Sequence, residues 1–431
     1  MVNDLNTVVT VDHTNGMRRI RDYSYNRART VHLRFTKESD SRGYLVQAWG
    51  SAFPEDGCGG YQGHITHTAD TVNSGIDVLR TAWQTYVVEH KHTDAETGRA
   101  SFPFVDKWDL ATPADHHRIN KIGLALARAG NTMFKLLFRN SGDPGMGEIA
   151  AHLLRALRGG ENVITMESDD LFVPWGMLYT PLEEVDTLWT PKATWSFDGF
   201  WGYRHMVEHS FSRTPGFDSR ILVPENQLVV GLNVDERVDH EYPHTSYVKP
   251  LIDFFTSRAE VVVRRSKNEL ACAFQDPSFT DHITYFGCHG EVSGVDGQVG
   301  QPYLKLGDDE KIYGAELVGW LCERPLPTRP LVFVGACQGG QLASAFYPAF
   351  GHHLLNNGAR CLLGPQIDLP RAFALEYTTR LFSAFMESGV KLGDIVRLLA
   401  RSFADDHGNP LGLIFSLYRG MDIHLWPTET P

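Results

Sequence analysis

Two short runs of the chain carry residue types suited to nucleophilic catalysis. Thr284-Tyr285-Phe286-Gly287-Cys288-His289-Gly290 and Leu331-Val332-Phe333-Val334-Gly335-Ala336-Cys337-Gln338-Gly339-Gly340 each read as an apolar strand that stops at a reactive side chain followed by glycine. A cysteine at its ordinary pKa of about 8.5 is only a few per cent thiolate at neutral pH, and a neighbouring imidazole either takes its proton or stabilises the anion. Cys337 as nucleophile and His289 as base therefore make an acyl-enzyme pair. Glycines at 290, 339 and 340 let the backbone approach a substrate closely. The main-chain N–H groups of Gly290 and Cys337 are the oxyanion-hole candidates, a role in which one donor contributes roughly 2.7–4 kcal/mol to the transition state. Cys288, next to the base, is expected to point to the opposite side of its strand, into the core, and to be inert.

Placing these groups requires strands that end side by side, because ligands of open α/β sheets bind in the crevice beyond the carboxyl ends of the strands. From about residue 160 onward, short apolar runs alternate with helical segments, the pattern of a mostly parallel sheet with covering helices. Strands are predicted near Asn162–Met166, Leu228–Asn233, Glu260–Val263, Ile283–Phe286, Leu331–Val334 and Cys361–Leu363. Helices are predicted at about 246–257, 267–274, 314–322, 340–357, 371–388 and 391–404. Gly and Pro cluster at 287–302 and 323–330, which reads as long mobile loops around the site. The Gly294–Gly300 run lacks the Gly-Lys-Ser/Thr ending of a phosphate loop and reads as part of the first of them. Residues 1–155 form an N-terminal α+β region, with strand alternation at Thr30–Phe35 and Tyr44–Trp49 and helical spacing at 73–90 and 115–130. Residues 156–225 and 226–431 are the two further portions.

Composition narrows the function classes. At 431 residues and 42% hydrophobic the chain buries a sizeable core, and a formal charge of −12 without a Lys/Arg run argues against a direct nucleic-acid partner. The first residues lack the basic and apolar regions of a secretion signal, and no eighteen apolar residues run together, so no membrane association is expected and a cytoplasmic location is. Six cysteines without a CxxC pair disfavour a zinc knuckle or a disulfide framework. His64, His67 and Asp70 have metal-ligand spacing if helical, but Gly63 and the threonines around them suit a loop or strand as well. No metal and no cofactor is expected.

The cysteine run Gly335-Ala336-Cys337-Gln338-Gly339 resembles the caspase signature Gln-Ala-Cys-[Arg/Gln/Gly]-Gly in all but its first position, and His289 precedes Cys337 by 48 residues where the signature has about 50. The sequence also resembles the CHAT proteases, bacterial relatives of caspases and separases, from about Val163 to the C-terminus. The resemblance is carried by Ser168-Asp169-Asp170-Leu171-Phe172-Val173-Pro174-Trp175, the His-Gly strand, Tyr303-Leu304-Lys305-Leu306, Tyr313-Gly314-Ala315-Glu316-Leu317, the cysteine strand and Asn357-Gly358-Ala359-Arg360-Cys361-Leu362-Leu363-Gly364. It implies a caspase-like three-layer sandwich, in which an inactive portion (156–225) merges into a catalytic one (226–431), and peptide-bond hydrolysis without metal or cofactor. In basic-specific relatives an acidic residue after the nucleophile strand pairs the substrate's P1 arginine or lysine. Asp368 occupies the corresponding segment, with Glu291 and Asp296 as further acidic candidates, although an Asp shortly before a proline is also an ordinary helix-start or turn residue.

The expected function is a cysteine endopeptidase that cleaves a partner protein and is activated by another, a role that in the family's bacterial members serves antiviral defence or death signalling. The alternatives are a catalytically silent caspase-like scaffold that binds a partner and a thiol hydrolase acting on a small molecule.

Overall fold

The computed structural model describes residues 27–38, 43–54, 60–93, 98, 100–139, 141–183, 188–211, 218–224, 227–241, 246–293, 301–322, 324–335, 347–387 and 389–428. Cys337, Gly339 and Gly340, Asp296 and the Gly294–Gly300 run lie outside these residues.

The N-terminal region opens with an antiparallel meander of β1 (Val31–Lys37), β2 (Tyr44–Trp49) and β3 (Tyr61–Ile65). The helix Ala69–Trp83 follows, capped by the Thr68 side chain and continued as a π-helical turn, Gln84–Val88. Beyond the small pair β4 (His92–Thr93) and β5 (Ala100–Ser101) come the long helices Pro113–Phe138 and Pro144–Gly159. The middle portion supplies β6 (Val163–Glu167), β7 (Met206–Ser210) and β8 (Arg220–Pro224). The last portion contributes β9 (Val229–Val234), β10 (Glu260–Arg264), β11 (Ile283–Gly287), β12 (His289–Ser293), β13 (Gln301–Lys305), β14 (Lys311–Tyr313), β15 (Leu331–Val334), β16 (Cys361–Pro365), β17 (Phe415–Tyr418) and β18 (His424–Thr428).

One sheet of 11 strands runs through all three portions in the order β10-β9-β11-β15-β16-β17-β7-β6-β1-β2-β3. Its neighbour pairs are parallel except β16–β17, β1–β2 and β2–β3. The central strands β9, β11, β15 and β16 are buried along their whole length, as strands covered on both faces must be, which is why they read as continuous apolar runs. Their side chains alternate between two cores. Ile283, Tyr285, Leu331, Phe333, Cys361 and Leu363 join a core that includes Leu251 and Phe255 of helix Val248–Thr256 and the inner face of helix Arg371–Phe385. Phe286, Val332, Val334 and Leu362 join the other, with Leu270 and Phe274 of helix Lys267–Gln275 and Leu317 and Leu321 of helix Gly314–Leu321. Helices thus cover both faces, and the architecture is the expected three-layer α/β sandwich.

The 287–302 stretch is less of a loop than its glycines suggest. β12 leaves the main sheet directly after β11 and pairs antiparallel with β13, which pairs with β14, so that a small three-stranded sheet rises from the crevice. Among the described residues no helix is long and apolar enough to cross a membrane.

Candidate active site

Three adjacent parallel strands end together. In register, Ile283 of β11 faces Val230 of β9 on one side and Leu331 of β15 on the other. Just past the strand ends the ladder gains two further bonds, Asp235 N–H to Gly287 C=O at 3.1 Å and Gly335 N–H to Phe286 C=O at 2.8 Å. The crevice edge therefore holds Asp235 after β9, His289 after β11 and Gly335 after β15, two residues before Cys337. His289 is 8% exposed, and Gly290 lies buried on β12 opposite Leu304. Cys288 packs into the second core at 2% exposure, as alternation requires.

Asp235 was not foreseen from the sequence: an apolar strand, Val229–Val234, stops at it, but Glu236 and Arg237 follow where the other two strand ends have glycine. Its carboxylate is fully buried and lies 3.6 Å from His289 Nε2. That geometry leaves Nδ1 as the ring nitrogen turned away from the acid. Arg237 clamps the same carboxylate: its backbone N–H and Nε–H donate to Oδ1 at 3.0 and 2.9 Å, and Nη2–H donates to Oδ2 at 2.8 Å. Burial alone would raise the Asp235 carboxyl, but the Arg237 hydrogen bonds outweigh it, helped by the charges of Arg237 and His289, and hold it below the usual carboxylate range.

Gly335 is the one position at which the cysteine run departs from the caspase signature, and its surroundings explain the departure. A Cβ at this residue would run into the hydroxyl groups of Tyr285 and Tyr247, which meet beneath the strand end. A side chain as large as glutamine has no room there.

Asp368 follows β16, at the same edge of the sheet, and is part-buried. The Gln84 side chain clasps it: Nε2–H donates to Asp368 Oδ2 at 2.9 Å, and the Asp368 N–H donates to Gln84 Oε1 at 3.2 Å. One helical turn earlier, the buried Arg80 guanidinium donates from Nη2 to Gln366 Oε1 at 2.8 Å and to Phe172 C=O at 3.0 Å. The N-terminal region thereby braces the 366–368 segment. Pro370 rather than Asp368 is the N-cap of helix Arg371–Phe385, and it has no side-chain cap, so Asp368 follows a bend without capping the helix. Glu291 is engaged by Lys305 Nζ at 3.1 Å and by the Tyr303 hydroxyl. The Tyr303 bond in particular, then the Lys305 bond and charge, lower its carboxyl, while the Tyr303 phenol is pushed up to about 12.

His64, His67 and Asp70 do not share a helical face. His64 sits on β3 with Nδ1 3.4 Å from Glu38, and Asp70 lies in the first turn of the following helix. Among the described residues no group of three or more His, Cys, Asp or Glu side chains is arranged to hold a metal.

No family model matches the chain. A curated protein of Vitiosangium sp. (strain GDMCC 1.1324), named as a probable protease, is 24% identical over 242 residues, 53% of this chain and 30% of the relative. The chain thus matches less than a third of that relative's length. Among solved structures, the separase–securin complex of Saccharomyces cerevisiae is similar over 92% of this chain and 30% of that one, at 10% identity and a TM-score of 0.40. The complex of pro- and mature domains of Porphyromonas gingivalis RgpB is similar over 64% of this chain and 70% of that one, at 9% identity and a TM-score of 0.37.

Proposed function

We propose that the protein is a cysteine endopeptidase of the caspase-like type, with Cys337 as nucleophile and His289 as base. The observation that carries this reading is the convergence of Asp235 and His289 at the ends of neighbouring parallel strands, beside the strand whose continuation bears Cys337. The 24% identity to a relative named as a probable protease supports it independently.

In this mechanism Asp235 holds the imidazole through Nε2, and Nδ1 accepts the Cys337 thiol proton. Sγ attacks the scissile carbonyl carbon, and the backbone N–H groups of Gly290 and Cys337 receive the developing oxyanion. The imidazolium then returns its proton to the leaving amine, so that the C–N bond breaks and a thioester remains. Water, deprotonated by His289, releases the acyl group and restores the thiol. Asp235 stabilises the imidazolium without itself becoming protonated, as orienting carboxylates in such sites do. Asp368, fixed by Gln84, recognises arginine or lysine at P1 by charge pairing. The substrate is a partner protein, and a second protein switches the enzyme on, in keeping with a place in bacterial defence or death signalling.

Purified wild type, Cys337→Ala and Asp368→Ala proteins incubated with peptides fluorogenic at P1 test this reading. Wild type cleaves after arginine or lysine, Cys337→Ala cleaves nothing, and Asp368→Ala loses the basic preference by about tenfold or more, as loss of a buried charge pairing implies. Cleavage by Cys337→Ala would remove the nucleophile assignment, and unchanged selectivity in Asp368→Ala would place the specificity acid elsewhere. A wild type that stays silent alone and with its genomic neighbours would favour the scaffold alternative.

A further inference from the structure

The arginine beside the catalytic histidine is placed between two structures. Arg237 opens the short helix Arg237–Glu241, directly after β9, and makes three hydrogen bonds to Asp235. Its remaining donors reach the turn after β13, where Nη2–H donates to Leu306 C=O at 3.1 Å and Nη1 meets Asp309, a residue held at φ +62°. β13 is also the strand that pairs with His289 itself, Lys305 standing opposite it in register. One side chain therefore ties the acid behind the histidine to the small sheet that carries the histidine.

From this geometry we infer that Arg237 is a positioning residue that divides the charge of Asp235 between itself and His289, so that the small sheet β12–β14 sets how strongly the imidazole is held. The inference rests on His289 being the base of the proposed peptidase and adds a means of regulating that same site.

The argument is one of competition. A buried carboxylate with one guanidinium on both oxygens has little left to offer a second partner, and the His289–Asp235 separation of 3.6 Å is longer than a full hydrogen bond. Arg237 is 41% exposed at its side chain, so its grip is reversible in a way that a buried pair is not. Removing the guanidinium leaves Asp235 in place, because the Arg237 backbone N–H still donates to its Oδ1 and the Asp235 N–H still donates to Gly287 C=O. The carboxylate then belongs to His289. The other charges facing His289 are Glu291 on its own strand, Lys305 on β13 and Asp309 on the turn. Glu291 and Lys305 pair with each other and Asp309 pairs with Arg237, so the balance that matters runs through Arg237 and Asp235. A protein that displaces the β13–β14 turn and draws Arg237, held there by Asp309 and Leu306 C=O, away from Asp235 would free the carboxylate for His289, and that gives the proposed activator a physical point of attack.

The test is the titration of His289 by NMR in full-length protein carrying 13C-labelled histidine, in the Cys337→Ala background so that no thiol is coupled to it. The signal is assigned by its loss in His289→Gln. Arg237→Gln is expected to move the titration midpoint upward, in the direction that loss of a competing cation gives, while Arg237→Lys, which keeps the charge, leaves it close to that of the parent. In Asp235→Asn the Arg237→Gln effect should collapse, because there is no charge to divide. A midpoint that is unchanged or lowered in Arg237→Gln, or a rise of the same size with Asp235→Asn, overturns the inference, the last by showing direct repulsion instead. The titration reads the imidazole alone, so absence of peptidase activity would sink the proposed function and leave this result to be judged separately.

Discussion

Asp235 accepts three hydrogen bonds from Arg237 and still faces His289, and in the proposed mechanism it orients and charge-balances the imidazole while Arg237 keeps its carboxyl ionised. Asp235→Asn keeps the volume and removes the charge. It is expected to lower kcat/KM by about 10²-fold or more, within the range that general acid–base assistance contributes, and to do so through kcat with KM little changed. A loss confined to KM would assign Asp235 to substrate binding. His289 was legible in the sequence because an apolar strand delivers it next to glycine. Asp235 was not, because an acid two residues from an arginine after a strand looks like any surface turn, and only the fold shows that its side chain is fully buried. Asp368 was legible as a segment, but its partner Gln84 lies 284 residues away and no local pattern announces it.

At the scale of elements, β9 shows why a glycine sits in the middle of a buried strand. Arg264 on β10 reaches across β9 to a buried, two-pronged pair with Asp281, both bonds 2.8 Å, at the start of β11. Gly231 lies directly under the crossing, where a Cβ would strike the Asp281 carboxylate and the Arg264 guanidinium. Gly231→Ala must therefore push apart a buried ion pair and is expected to cost about 3 kcal/mol or more of stability, the range seen when such pairs are broken. Chemical denaturation of the variant measures this, and a change below about 1 kcal/mol would mean that the crossing relaxes freely. The strands around it were readable to within a residue or two because both faces are buried and the apolar run is continuous: Leu331–Val334 was expected and is found. The hairpin of β12 and β13 was not, because its pairing is to a small separate sheet and its glycines mimic a loop. Of the stretch expected as helix at 340–357, the described part from 347 consists of a π-helical turn, Tyr347–Gly351, and the helix His352–Asn356.

Across the whole molecule, the N-terminal region is joined to the rest through the same sheet, with β1 pairing parallel to β6, and through ion pairs of Arg29 with Glu208 at 2.7 Å and with Asp422 at 2.8 Å. That continuity was hidden in the sequence, since β1 meets a partner more than a hundred residues on. Two buried histidines near this junction contribute to loss of stability in acid. Burial drives His205 down to about 3, with the charges of Arg204 and Arg397 adding to the effect, and it drives His209 down to about 4 against the opposing bond to Ser168 C=O. His205 Nδ1 accepts the Asn162 N–H, so the neutral ring is the one the fold uses. Both groups bind protons in the unfolded chain, near 6.5, before they do in the folded one. Stability is therefore lost as pH falls below about 6.5, by about 1.4 kcal/mol per unit for each ring down to its folded value. Thermal unfolding between pH 7 and 4.5 should show this fall, and His205→Asn should flatten it. An equal slope in the variant would assign the acid sensitivity to other groups.

The pairing of Cys337 with His289 is tested most directly by reactivity. Cys272 and Cys322 are exposed free thiols in the same chain and serve as internal references. At pH 6 an ordinary thiol is well under one per cent thiolate, whereas a histidine-paired one is largely ionised. Limited treatment with iodoacetamide at pH 6, followed by peptide mass mapping, should label Cys337 at least tenfold faster than Cys272 or Cys322 and lose that advantage in His289→Ala. Labelling of Cys337 no faster than the two reference cysteines, or at a rate indifferent to His289, would contradict the account.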